Sequence, residues 1–381
     1  MALTRRQTLS ILGGGAILAA GAGGYSVTRS PQTAYAAWEA AGGYTEPRMN
    51  ALSHAILAPN PHNRQPWVVD LATPDEVTLH VDTDRLLPHT DPFGRQIVIG
   101  LGCFLETMRI AAAEAGHAVA LELFPEGEDA AALDGRPVAR ARFSPAEGIA
   151  EPEMFAAIAR RRSVKEPYDT SRPVPQTDLS ALVGAGAAGT TIATTGETGR
   201  VEALRDLTAR AFRIEFATPR TYKESVDLFR IGHREVDADP DGIDLIGPMF
   251  ETLRRTRLFT REKALVVDSM PYRAGLDMVE ANSVTGMAYV WQVTETNTRA
   301  DQIAAGRDWM RIHLAATRLG IAVQPMSQVL QEFPEMAGPY AEAHAMLAPG
   351  GGTVQMLGRL GYGPEVGAAP RWPLEAKIRG V

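Results

Sequence analysis

The chain has 381 residues, 45% of them hydrophobic and 22% charged, with 26 prolines and 36 glycines. It is long enough to bury a large core in two units, which excludes a small stapled module and a disordered or fibrous chain. A net charge of -7 offers no global basic field for nucleic acid or an anionic membrane, and the single cysteine, Cys103, excludes an intrachain disulfide and a multi-cysteine metal or iron–sulfur site.

At the N-terminus, Thr4-Arg5-Arg6-Gln7-Thr8-Leu9 precedes the uncharged, Gly- and Ala-rich stretch Ile11 to Ala22. This is the pattern of a twin-arginine export signal, a route for proteins that fold around a cofactor before crossing. Ala34-Tyr35-Ala36 has the small–large–small form of a cleavage site, so residues 1–36 are expected to be the signal. Further along, Met49–Ala58 reads as a short helix, Trp67–Leu71 and Val77–Asp82 as strands, and Ile97–Gly116 as a long helix leading into strands at Ala118–Phe124 and Pro137–Phe143. Ser144–Pro152 reads as a link between a first half, 37–150, and a second, 151–381. The second half has helical patterns at Pro152–Arg161, Thr177–Ala185, Thr198–Phe216, Tyr222–Ile231 and Arg299–Gly320, with strands expected at Leu265–Asp268, Met287–Thr294 and Thr353–Leu360. The mixture predicts an α+β layered fold.

An internal repeat organises these elements. Gly102–Val119 aligns without a gap on Gly306–Val323, with six identities over 18 positions, all Gly, Ala or Val. Each copy reads as a helix with small residues that allow close helix approach, stopped by Gly and followed at once by a strand. Two such units suggest a homodimer fold written into one chain.

Two motifs bring chemistry to this frame. Pro59-Asn60-Pro61-His62-Asn63-Arg64-Gln65-Pro66-Trp67 is a rigid polar turn ahead of a strand, and its Asn60, Asn63 and Gln65 can each donate and accept. Arg160-Arg161-Arg162-Ser163-Val164-Lys165 ends a helix. Its guanidinium forks and hydroxyl suit a phosphate, or they serve only to place cations at a helix C-terminus. His233, His313, His344 and Cys103 read as packed or surface residues, and Asp237–Gly242 has only a superficial calcium-loop spacing.

Arg161-Arg162-Ser163 with Lys165 and Tyr168 is similar to the phosphate-binding opening of the FMN-dependent nitroreductase family, and Pro59–Trp67 resembles that family's Asn-x-Gln-Pro-Trp turn. Gly306–Val323 followed by Gln324-Pro325-Met326-Ser327 resembles its long helix and the strand-loop that reaches the flavin ring, and Gly361-Tyr362-Gly363 with Pro370-Arg371-Trp372-Pro373 its C-terminal arginine segment. The turn here precedes the arginines, the reverse of the family's order, as in the single-chain, Acg-type subgroup. In the homodimers each flavin lies between subunits, so a tandem chain would complete one site and lose the other.

The resemblance implies a nitroreductase-like fold of two tandem halves forming a pseudo-dimer. Arg161, Arg162, Ser163 and Arg371 would hold the FMN phosphate, with Lys165 nearer the pyrimidine edge. Pro59, Asn60, Pro61, Asn63 and Gln65 would come from the other half. Pro325 and Met326 would lead into Ser327 and Gln328, whose backbone N–H groups would approach the ring. Ser327-Gln328 stands where many members have Glu-Gly. The expected protein is an exported, monomeric flavoprotein, periplasmic or held at the cell envelope, whose partners are flavin, a small electron acceptor and, in transit, the twin-arginine translocase. Two readings stay open, a two-electron oxidoreductase of nitro, quinone or related compounds and a non-catalytic protein that holds or sequesters flavin, or whose pocket is lidded or empty.

Overall fold

Each half of the chain builds a four-stranded antiparallel sheet, and the two sheets share one strand order. The first contains β1 (Trp67–Asp70), β2 (Glu76–Val81), β3 (His117–Leu123) and β4 (Pro137–Pro145), ordered β1-β2-β4-β3. The second contains β5 (Thr191–Thr195), β8 (Ala288–Thr294), β9 (Ala322–Pro325) and β10 (Thr353–Gly361), ordered β5-β8-β10-β9. In both, a long helix joins the second strand to the third: α3 (Arg95–Glu114) and α12 (Arg299–Arg318). This is a computed structural model describing residues 30–379, so Arg5, Arg6 and Ile11–Ala22 lie outside the described residues.

The other helices are α1 (Ala36–Ala40), α2 (Pro47–Ala55), α4 (Pro152–Ile158), α5 (Gln176–Val183), α6 (Thr198–Ala217), α7 (Pro219–Asp227), α8 (His233–Ala238), α9 (Pro248–Arg255), α10 (Arg261–Ala264), α11 (Met270–Ser283) and α13 (Ala337–Leu347). The halves differ mainly between their first two strands. A short turn joins β1 to β2, whereas α6 to α11 and a small parallel pair, β6 (Phe229–Ile231) with β7 (Ile243–Leu245), stand between β5 and β8.

The repeat helices α3 and α12 pack on each other through Gly102 and Gly306, where a Cβ on either glycine would lie within 2.3 Å of a carbonyl oxygen of the other helix. Around this crossing, buried Glu106 is answered by Arg109, Arg307 and Arg311, so one carboxylate joins both halves through three guanidiniums. Cys103 is a core residue beside Gly306, its thiol pushed up to about 12 by burial. The C-terminal segment runs back to the first half, where Ile378 bridges Val69 and Arg379 N–H donates to Val69 O at 2.8 Å. The fold is thus α+β, built of two tandem halves in one chain.

Two expected elements differ. No strand forms at Leu265–Asp268: β-branched Val266 and Val267 are exposed in a turn after α10, and Asp268 takes a left-handed φ of 64°. The helix expected at Tyr222–Ile231 ends at Asp227, because Phe229–Ile231 pairs with Ile243–Leu245 as β6.

Candidate functional site

The Pro/Asn turn is strained. His62, Asn63 and Gln65 all take left-handed φ near 50°, which is costly without glycine and tends to mark functional loops. Asn60 stabilises it by accepting Gln65 N–H through Oδ1 at 2.7 Å, and the turn packs on α3 at Gly100, where an added Cβ would lie 3.2 Å from Asn60 and Pro61. Gln65 is fully buried and its amide is used within the fold: Nε2 donates to Pro240 O at 2.7 Å and Oε1 accepts Trp372 N–H at 2.9 Å. It therefore fixes the C-terminal segment rather than facing a ligand edge.

That segment delivers Arg371 to the turn. Arg371 is 2% exposed and Arg161 4%. Arg371 Nη1 donates to Asn63 Oδ1 at 2.5 Å, which joins the first-half turn to a residue of the second half. Both guanidiniums reach one carbonyl at the end of α2: Arg161 Nη2 and Arg371 Nη2 donate to Leu57 O at 3.1 and 3.2 Å. Arg371 also donates to Ile56 O, Ala58 O and Pro370 O, while Arg161 Nε is buried without a partner.

Among the described residues neither arginine forms an ion pair. Burial pulls Arg371 down to about 9, with Arg161 adding like-charge repulsion against the opposing pull of Asp244; burial pulls Arg161 down to about 10. Guanidinium charges in a desolvated site without a carboxylate are costly, and the carbonyl dipoles ending α2 offset only part of that. The charge on buried Glu106 is, by contrast, fully answered. Arg162 is half-buried, donates to Ala159 O and Arg161 O, and lies over the Trp38 ring at 4.7 Å.

Ser163 and the loop 325–328 are held by one pairing. Ser163 bridges Val323, and Val164 N–H donates to Val323 O at 3.0 Å, two residues before Pro325. Tyr168 packs below, its hydroxyl donating to Val164 O, with no room for side chains at Gly361 and Gly363. Met326 is buried, and Ser327 O accepts the Gln96 amide at 3.2 Å. Gln328 Oε1 is buried without a partner. Lys165 is exposed, and its charge is felt at His62.

A polar chain beside this loop carried no sequence signal beyond His62's place in the turn. His62 Nε2 meets Ser225 Oγ at 3.1 Å, Ser225 Oγ donates to Glu215 Oε1 at 3.3 Å, and Gln331 Nε2 donates to Glu215 Oε2 at 3.1 Å. Burial raises the Glu215 carboxyl to about 7 against the pull of Gln331 and Ser225, and burial lowers His62 to about 4, with Lys165 and Arg64 adding to it.

The segment before α1 lies across the arginines. Asp237 on α8 accepts the backbone N–H groups of Gln32, Thr33 and Ala34 at 2.8, 2.8 and 3.1 Å, and Arg371 N–H donates to Ala34 O at 2.9 Å. The triplet Ala34-Tyr35-Ala36 is thus folded into the molecule, with Ala34 fully buried. Trp38 covers Arg162 and Arg371 and donates its indole N–H to Ala369 O.

No family model matches the sequence. The chain is 26% identical over 320 residues to a Mycobacterium tuberculosis protein named "Putative NAD(P)H nitroreductase Rv3131", covering 82% of this chain and 84% of that one. It is 36% identical over 121 residues to "Putative NAD(P)H nitroreductase acg" of the same organism, covering 31% of this chain and 35% of that one. Among solved structures it overlays the FMN-dependent nitroreductase NfnB of Mycobacterium smegmatis with a TM-score of 0.35 at 17% identity, covering 60% of this chain and 98% of that one. The 26% match runs along most of the chain, and the 36% match along less than a third of it.

Proposed function

We propose that the protein is an FMN-holding oxidoreductase of the nitroreductase kind, with one composite site per chain. The observation that carries this is the buried pair Arg161 and Arg371, which share Leu57 O and have no carboxylate, with Asn63 of the other half bonded directly to Arg371. A phosphate monoester dianion supplies the missing charge, and the partnerless Arg161 Nε is a donor left over for it. Arg161, Arg162 and Ser163 would bind the phosphate, and Arg371, its N–H groups already engaged by carbonyls, would act through its charge. Pro59, Asn60, Pro61 and Asn63 would lie against the rest of the cofactor, and Ser327 and Gln328 near its ring, where the orphan Gln328 Oε1 is an acceptor without a donor.

When bound, FMN supplies hydride and electron transfer. The chain's own part is to bind, orient and exclude water. Glu215, poised near neutrality, is placed to hold a proton beside the ring-side loop and share it through Ser225 with His62. Reduction of nitro, quinone or related electron-poor compounds by two-electron steps is the activity that this site and the curated relatives support, and the Arg5-Arg6 pattern supports export of the folded protein. The cover formed by Ala34 and Trp38 favours a second reading, in which the flavin is held without turnover. Protein purified from signal-bearing expression decides between them: flavin absorption bleached by a chemical reductant and restored by a quinone supports the oxidoreductase, whereas flavin absorption that no acceptor restores supports holding. Absence of flavin that added FMN does not correct would contradict both.

A further inference from the structure

Ala34-Tyr35-Ala36 has the sequence form of a processing site, yet the fold uses the triplet as a structural element. Ala34 is fully buried, and Ala37, on the far side of the 36–37 bond, is packed into the main core. The bond itself lies in the first turn of α1. The chain around it is bent: Ala36 N–H donates to Thr33 O at 3.1 Å and Trp38 N–H to Tyr35 O at 3.0 Å. A protease pairs with the backbone groups of an extended substrate strand. Here those groups are engaged within the molecule, the N–H groups of residues 32–34 by Asp237 and Ala34 O by the Arg371 N–H.

We infer that the chain is not cut after Ala36, and that residues 32–36 stay in the mature protein as a strap over the arginine site. The inference rests on the export reading above, since export is what brings the chain before a signal peptidase. A protein exported already folded presents the strap closed, and cutting then depends on how often the segment opens. Opening breaks several contacts together. Asp237 loses the Gln32, Thr33 and Ala34 N–H groups and the Thr33 hydroxyl, which are all the donors its carboxylate accepts among the described residues. Ala34 and Ala37 leave their buried positions, and Trp38 leaves the Arg162 and Arg371 guanidiniums and the acceptor Ala369 O. Segments that proteases nick are exposed, with few such contacts. Removal of residues 1–36 would also leave the Arg371 N–H, on a residue 2% exposed, without its acceptor Ala34 O. Any mature N-terminus therefore lies before Gln32.

Two measurements test this. One is the intact mass of the full chain after expression in a host with a twin-arginine translocase. The other needs no export: digestion of the purified, folded full chain by signal peptidase in detergent. Exported wild type should retain residues 32–36. In the digestion, Asp237→Ala and Trp38→Ala should be cut between Ala36 and Ala37 at least about tenfold faster than wild type, because cutting follows the population of the open segment. Circular dichroism and thermal melts establish that the rest of each variant is folded. Exported wild type beginning at Ala37 would overturn the inference and leave export standing. A chain that stays in the cytoplasm would contradict the export reading alone, and the digestion then decides. Faster cutting in either variant supports the strap; wild-type rates in both, absence of cutting included, would overturn it.

Discussion

Gly102 and Gly306 stand against each other where α3 crosses α12, and the contact is reciprocal. A Cβ on Gly102 would lie 2.3 Å from Ile303 O, and one on Gly306 would lie 2.0 Å from Ile99 O, in each case the carbonyl three residues before the opposing glycine. Alanine is the better helix former by about 1 kcal/mol. Gly306→Ala should nevertheless destabilise the protein by more than the about 1–3 kcal/mol of ordinary overpacking, because the atoms in the way are backbone. Chemical denaturation checks this, and a stabilised variant would mean that the two helices are not locked at this point.

Arg161→Met removes an unanswered buried charge while keeping apolar volume. The apoprotein should be at least as stable as wild type by thermal melt, and FMN affinity should fall tenfold or more, since a charge-assisted hydrogen bond is worth about 1.5–3 kcal/mol. Asn63→Ala, on the other half, should weaken the same binding event. Titration of each variant measures this, and unchanged affinity in Asn63→Ala would separate the turn from the site.

Glu215 gives stability a definite pH dependence. Its folded value of about 7 lies above the ordinary 4.5, so between these limits the folded protein keeps a proton that the unfolded chain has released. Stability on this account falls as pH rises through that window, by at most about 3 kcal/mol. Glu215→Gln should therefore raise the melting temperature at pH 8 relative to wild type and show no such gain at pH 5. His62 and His313, which burial lowers to about 4 and about 3, act in the opposite sense. They remove stability as pH falls below 6.5, where the unfolded chain takes up protons first.

Asp237→Ala opens the clasp on residues 32–34. Limited chymotrypsin digestion should then cut at Tyr35 or Trp38 far faster than in wild type, with the rest of the fold intact by circular dichroism. Equal rates would mean that the contacts of Ala34 and Trp38 hold the segment without Asp237.

The repeat was legible because its signal is small residues at matched spacing, and packing uses those very residues at Gly102 and Gly306. The long helices and most strands were legible from their apolar periodicity. Val266 and Val267 misled because β-branched apolar residues read as strand wherever they occur, and nothing local to them reports that they face outward. Arg161, Arg371 and Asn63 could be named from motifs, but not their shared acceptor, since Leu57 O is a backbone group of a third segment. Glu215, Ser225 and Trp38 left no trace, because each acquires its partners from segments far along the chain. Gln65 looked like a ligand contact for the same reason, its buried acceptor and donor, Pro240 and Trp372, being remote in sequence.

The buried arginines should bind the phosphate of one FMN, and comparison of FMN with riboflavin, which has the same ring and no phosphate, tests this most directly. Calorimetric titration of the full chain should give one FMN per chain, bound at least a hundredfold more tightly than riboflavin, with the difference largely lost in Arg161→Met. Equal affinity for the two flavins, or two FMN per chain, would contradict it.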